Sequence, residues 1–448
     1  MARAKQKPDD IVFDDLADPK LTFLQKLALG GAKKGATEFT QEAVLSAARE
    51  ATGLSDFGNE SFRQALQVLL DDYAGDSGLS GVGEQQCFKD LVRCASNHLI
   101  IQDRVKKTPE LAATKLTKPL SVSGLPRSGT THLVNLLAAD SRFQSLPLWV
   151  AQEPFHAPGK EKASAKLKFG ARSLTRFLKS GDSLTHNDPR YLRCSARWSG
   201  MQIMGPDLAA MHPMNPDHIH EELELMTFDF GCNQFEWTSM VPGYRDYYFG
   251  KDQTPHYEYM VKVLKLLQIE RGADADGNYK SWVLKCVQNP EQLPALKSVM
   301  PDATAIMTHR DPVAVIQSIS TMIAYGHRIL RTSVDPKWVL DYWTDRIEAL
   351  LRANVRDRHV WGPKQSMDVM FHEFMAGDMA TVEKIYELHE LELTPKARQE
   401  MADFIKAHPR GKYGRVRYHL KEHFGVSPEE IRERFSFYYD AFPVKVEV

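Results

Sequence analysis

The sequence predicts an α/β protein in which a parallel sheet is flanked by helices. Three observations carry this expectation. A short apolar stretch, Pro119–Ser123, runs directly into a Gly- and Ser-containing turn and then into helical periodicity at Leu133, Leu136 and Leu137. A second apolar stretch, Ala303–Thr308, ends at His309-Arg310-Asp311-Pro312 and leads into another helix. Two more strand candidates, Ser145–Ala151 and Ser281–Lys285, alternate with helical segments, and that alternation argues for a parallel sheet covered on both faces.

Residues 1–114 read as a mainly helical N-terminal extension. Gln41–Ala51 is rich in Ala and Glu. Asn59 is placed to cap a helix carrying Phe62, Leu66, Leu69 and Leu70 on one side. Cys87, Leu91, Val92, Leu99 and Ile100 continue the pattern in the next helix. Residues 115–448 then read as one large α/β domain with a helical insertion over about 155–280. Inside that insertion, Lys160–Lys179 holds seven Lys or Arg against the single acid Glu161. Leu167, Leu174, Phe177 and Leu178 lie near helical spacing, so the segment reads as a basic amphipathic helix. A solvated face is the plain reading; a lid beside an anionic site, or a membrane-surface contact, is the alternative. Near the C-terminus, Ser427, Pro428 and Glu430 form a capping-box signature, and Ile431, Phe435, Tyr438 and Phe442 form an apolar packing stripe.

Composition narrows the function. Lys plus Arg number 57 and Asp plus Glu 58, for a formal net charge of −1 over 448 residues. A globally basic nucleic-acid binder is excluded, because phosphate neutralisation needs an excess of cations. An acidic disordered chain is excluded too. An anionic ligand must therefore be met by local charge. The five cysteines show no CxxC pairing, which suits reduced thiols in a cytoplasmic protein. The start, MARAKQKPDD, has no apolar run behind it, and no stretch approaches the ~20 apolar residues of a membrane span. The expectation is a soluble cytoplasmic protein without an integral membrane segment; a homodimer is left open.

Three segments carry chemistry. Gly124-Leu125-Pro126-Arg127-Ser128-Gly129-Thr130-Thr131 has the G-x-x-x-x-G spacing of a phosphate-cradling loop between a strand and a helix. Backbone N–H groups of such a loop, with the helix N-terminus behind them, attract anions. A nucleotide triphosphatase needs Lys after the second Gly to reach the β- and γ-phosphates. Here that residue is Thr130, and the cation sits inside the loop as Arg127. Such a loop suits one 5′-phosphate bearing a small anionic group, with no metal required. In the second segment, Arg310 ends a strand, and Ser318 lies eight residues later, two turns into the next helix. Both side chains can reach one anion over the C-terminal edge of the sheet. The third segment, His408-Pro409-Arg410-Gly411-Lys412-Tyr413-Gly414-Arg415-Val416-Arg417, is a Gly-punctuated basic loop.

Taken together, these motifs resemble those of the sulfotransferases that use 3′-phosphoadenosine 5′-phosphosulfate (PAPS), in their broad, mostly bacterial branch. The likeness spans about residues 115–448 and includes His212-Pro213-Met214 with Glu221-Glu222. It implies a P-loop-type fold. It also implies that Ser128, Gly129, Thr130 and Thr131 bind the 5′-phosphosulfate and that Arg127 neutralises charge on the transferring sulfuryl group. Arg310 and Ser318 would hold the 3′-phosphate, and Arg410 with Gly411 would close over it. Lys285 would touch the sulfuryl oxygens. The partner implied is a small acceptor, and PAPS is the donor.

One segment departs from the resemblance. Where the family often has Pro and His after the lysine, Lys285 is followed by Val287 and Asn289. A base at that point is in doubt. Other branches place a Glu after the second strand, and Glu153 is the matching acid, with Glu222 and His212 as runners-up. Phe155, Trp198, Phe228, Phe235, Trp237 and Tyr244 are candidates to line an apolar acceptor pocket or simply to pack. The competing readings are a P-loop kinase or NTPase, and a nucleotide-binding relative without catalysis.

Overall fold

The computed structural model describes residues 10–175, 186–409 and 414–448. It contains seven strands among them: β1 Asp10–Val12, β2 Leu120–Gly124, β3 Phe143–Gln144, β4 Ser281–Cys286, β5 Thr304–His309, β6 Ser366–Met370 and β7 Arg415–Arg417. The main sheet is parallel throughout, in the order β3-β4-β2-β5-β6. Helices flank it, as expected. β2 and β5 are buried along their whole length, Ser121 and Ser123 of β2 included.

Strand order reverses at β2: β4 and β3 extend the sheet on one side, β5 and β6 on the other. Ligands of open parallel sheets bind outside the carboxyl ends at such a switch point. The register brings Lys285 level with Val122 and Thr308 level with Gly124. A Cβ at Gly124 would stand 1.9 Å from Thr308 Oγ1, so only glycine lets β2 and β5 pair up to the loop.

Three sequence expectations need correction. Ser145–Ala151 is not a strand: β3 stops at Gln144, and a short helix spans Leu148–Gln152. Pro147 between them has no N–H for a ladder and leads the helix instead. Asn59 does not cap the helix Phe62–Gly75; its carboxamide oxygen accepts the Ser61 N–H at 3.0 Å in a local turn. The apolar C-terminal stripe is buried, but its helix breaks at Phe435 into Pro428–Arg434 and Ser436–Ala441. The capping box at Ser427 and Glu430 is present.

Four helices position the site. These are α1 Gly81–Lys107, α2 Thr130–Leu137, α3 Pro189–Met204 and α4 Pro312–Leu330. The basic segment forms a helix over Ala165–Thr175 packed against α3, while residues 176–185, including Phe177 and Leu178, lie outside the described residues. The N-terminal helices share a hydrophobic cluster with Leu284 of β4 and Ala305 of β5. Outside the main sheet, β1 pairs in parallel with β7, residue Asp10 opposite Arg415. No described helix is long and apolar enough to cross a membrane.

Candidate functional site

The loop between β2 and α2 turns on two left-handed residues, Arg127 at φ 66° and Gly129 at φ 86°. Such turns aim successive N–H groups into one concavity. Gly129 is also the residue from which α2 starts, so the helix dipole points at the same place. Ser128 is buried and its hydroxyl is used inside the protein: it donates to the Leu125 carbonyl and shares a 2.6 Å hydrogen bond with Thr308. Its side chain therefore braces the loop, and its backbone N–H also turns inward, donating to the Leu125 carbonyl at 3.2 Å.

A cavity of about 860 Å³ opens beside this loop. It is lined by Arg127, Gly129, Thr130, Thr131, Lys285 and Arg310, which the fold brings together from three strand ends. Arg127 Nε donates to Ser318 Oγ at 3.1 Å, and its terminal nitrogen donates to the Met211 carbonyl. Ser318 in turn donates to Tyr418 at 2.8 Å. Ser318 thus stands behind Arg127 and does not line the cavity itself. Arg310 lies over the Phe371 ring, 4.0 Å from its centroid, and donates to the Arg127 carbonyl at 2.5 Å. Its Nε and its other terminal nitrogen donate to Glu447, at 2.9 and 2.8 Å. Arg410 and Gly411 lie outside the described residues.

Lys285 is 2% exposed and ion-paired to Glu221. It also donates to Thr131 Oγ1 at 3.3 Å. The second Glu221 oxygen accepts the Val287 N–H at 3.0 Å. The pair therefore ties the end of β4 to the phosphate loop. In the sequence, Glu221 stands out only through its place beside Glu222 in the family resemblance. Nothing local to it announces that its partner lies 64 residues on.

The candidate bases separate by position. Glu153 does not line the cavity; Arg193 holds its carboxylate through Nε at 2.9 and 3.0 Å. Glu222 is wholly buried beneath the sheet edge, where Asn289 donates to it at 3.2 Å, and burial pushes its carboxyl up to about 7. Asn289 also reaches Ser123 and Tyr257, so it faces the interior and not the cavity. His212 does line the cavity, next to the Met211 carbonyl that Arg127 holds. Its ring lies 5.6 Å from that of His220, which also lines the cavity. Nδ1 of His212 and both nitrogens of His220 lack a hydrogen-bond partner among the described residues. Burial, followed by the neighbouring His220 and the Lys285 charge, holds His212 well below the usual histidine range.

Away from the loop, the cavity wall becomes apolar. Met201 and Met204 of α3, Met322 and Ile323 of α4, and Trp237 form it. Trp198, Phe235 and Trp237 contribute to the cavity, whereas Phe155, Phe228 and Tyr244 pack in the core. A polar strip of Gln86, Asp90 and Arg93 from α1 closes the far side. Sequence reasoning missed α1 here, because its cavity residues belong to the otherwise ordinary polar face of an amphipathic helix.

The family model described as "Sulfotransferase family" matches residues 119–395. This chain belongs to the sulfotransferase family. Two solved structures are similar along most of their length. Sulfotransferase STF1 from Mycobacterium tuberculosis H37Rv is 26% identical with a TM-score of 0.71, over 89% of this chain and 98% of that one. Sulfotransferase STF9 from Mycobacterium avium is 21% identical with a TM-score of 0.74, over 93% and 100%. A search of curated proteins gives no match. The sulfotransferase match covers β2 through β6, and so takes in the loop, Lys285 and Arg310 together. Family and fold neighbours support sulfuryl transfer as the class of activity.

Proposed function

We propose that this sulfotransferase moves the sulfuryl group of PAPS to a hydroxyl or amine of a small apolar acceptor, releasing 3′,5′-ADP. The carrying observation is a single cavity that joins a phosphate loop lacking the NTPase lysine, two cations for an anionic group, and an apolar wall. The residues present fit the donor. The paired left-handed turns offer N–H groups for a 5′-phosphate, and Arg310, at the end of β5 and against the Arg127 carbonyl, offers a cation for a second phosphate. When bound, the donor supplies the activated sulfuryl group. Lys285 and Arg127 supply fixed positive charge where negative charge builds up, which is the largest lever a protein has on such a transfer. Metal-free binding of 3′,5′-ADP is the expected result of a titration. Preference for Mg-ATP would favour the kinase reading and sink this one. Apolar hydroxylated compounds are expected to lead a mixed panel of alcohol, phenol, sterol and sugar acceptors.

His212 is the proposed base in place of Glu153. The residue borders the cavity, its buried Nδ1 has no hydrogen-bond partner among the described residues, and burial keeps the ring neutral and able to accept a proton. The charged and titratable groups around it are His220, Lys285, Glu221 and Arg127. His212→Asn is expected to lower turnover on the order of a hundredfold while leaving 3′,5′-ADP affinity unchanged. In the parent protein, kcat/KM reports the free enzyme, so its acid limb is expected below the ordinary histidine value of 6.5. An unchanged rate in His212→Asn, or an acid limb above that value, would contradict the assignment.

A further inference from the structure

The C-terminal segment sits against the corner where β5 runs into α4. Glu447 donates its backbone N–H to Asp311 at 2.7 Å, and Tyr439 donates to the same carboxylate at 2.5 Å. Val444 packs on the core beneath. This anchoring sets the Glu447 carboxylate against the forked edge of Arg310, with Nε and a terminal nitrogen at 2.9 and 2.8 Å. The other terminal nitrogen donates to the Arg127 carbonyl. Arg310 lines the cavity while its two-pronged anion-binding edge is already filled by a carboxylate from its own chain.

We propose that Glu447 is an internal competitor for the donor nucleotide's 3′-phosphate, and that binding requires the carboxylate to be displaced from Arg310. The proposal rests on the donor reading above and adds a regulatory step to it. Displacement is feasible on physical grounds. The two side chains remain 20% and 25% exposed, so water can reach the pair and take up the carboxylate when it leaves. A phosphate offers more acceptor oxygens and more charge to the same fork. Phosphate and Glu447 cannot both keep the fork, since two anions at one guanidinium repel. The backbone bond to Asp311 is independent of the carboxylate, so the segment stays docked while its side chain leaves. Donor affinity is then reduced by the fraction of molecules in which Arg310 is occupied.

The test compares 3′,5′-ADP with 5′-AMP, which lacks the 3′-phosphate, by calorimetric titration of the full chain and of Glu447→Gln. A variant lacking residues 446–448 serves as a second probe, and thermal melting confirms that each is folded. In both variants 3′,5′-ADP is expected to bind about tenfold more tightly, with 5′-AMP unchanged. Three outcomes overturn the proposal: equal gains for both nucleotides, no gain, or weaker 3′,5′-ADP binding, which would make Glu447 a positioning partner of Arg310. If the parent chain prefers 3′,5′-ADP but the variants do not differ, this inference alone fails. If no chain binds 3′,5′-ADP, the donor reading fails with it.

Discussion

Lys285→Met is expected to reduce turnover by about 10²–10³-fold, with a much smaller loss of 3′,5′-ADP affinity. Lys285 is buried at the end of β4, between Glu221 and Thr131, and faces the cavity. Its charge is fixed before any ligand arrives, so no reorganisation is needed as negative charge develops. The product nucleotide lacks the sulfuryl group and has less to gain from that charge. The substitution also leaves the Glu221 carboxylate buried without its cation, at a cost of about 3–5 kcal/mol in stability. Adding Glu221→Gln should recover most of that stability and none of the activity. Denaturant unfolding and single-turnover transfer of labelled sulfate read the two effects separately. Equal losses in turnover and nucleotide affinity would contradict the role, as would a double variant with restored activity.

Arg346→Met is expected to destabilise the protein by about 3–5 kcal/mol. Arg346 lies on the helix Pro336–Asp357 and is 2% exposed. It donates to Glu236 at 3.0 Å and to Glu291 at 2.5 and 2.6 Å. Tyr342 and Tyr248 donate to the same two carboxylates at 2.7 and 2.9 Å. One guanidinium is therefore the shared cation of two acids in a buried site. Removing it leaves both without a cation, and burial already raises the Glu236 carboxyl. Glu291 belongs to the turn just after β4, so the loss should loosen the strand that carries Lys285. Urea unfolding at unchanged m-value is the measurement. A loss below about 1 kcal/mol, the worth of an exposed pair, would show that the cluster is hydrated.

Much of this architecture is visible in the chain because its chemistry is local. The phosphate loop, the strand that ends in Arg310 and the capping box at Ser427 are each spelled by a handful of consecutive residues. The rest depends on distant pairing. β6 was not anticipated; Ser366–Met370 mixes buried and exposed positions because it is an edge strand. The helix at Leu148–Gln152 looked like a strand because a short apolar run fits either form. Glu153 matched by position relative to a strand, but Arg193 on α3 claims it. The Lys285–Glu221 and Arg310–Glu447 pairs join residues 64 and 137 apart, and no spacing rule reaches that far.

The pairing of β1 with β7 bears on how the protein is made. Asp10 has no strand to join until Arg415, about 400 residues further along, has been translated. At about 5–20 residues per second the wait is tens of seconds. During that interval the β2 loop and Lys285 can already be in place, whereas the small sheet that borders the basic loop after His408 cannot. A nascent chain stalled near residue 400 would therefore carry the strands of the main sheet without β7, so this corner cannot form until after they have all been made.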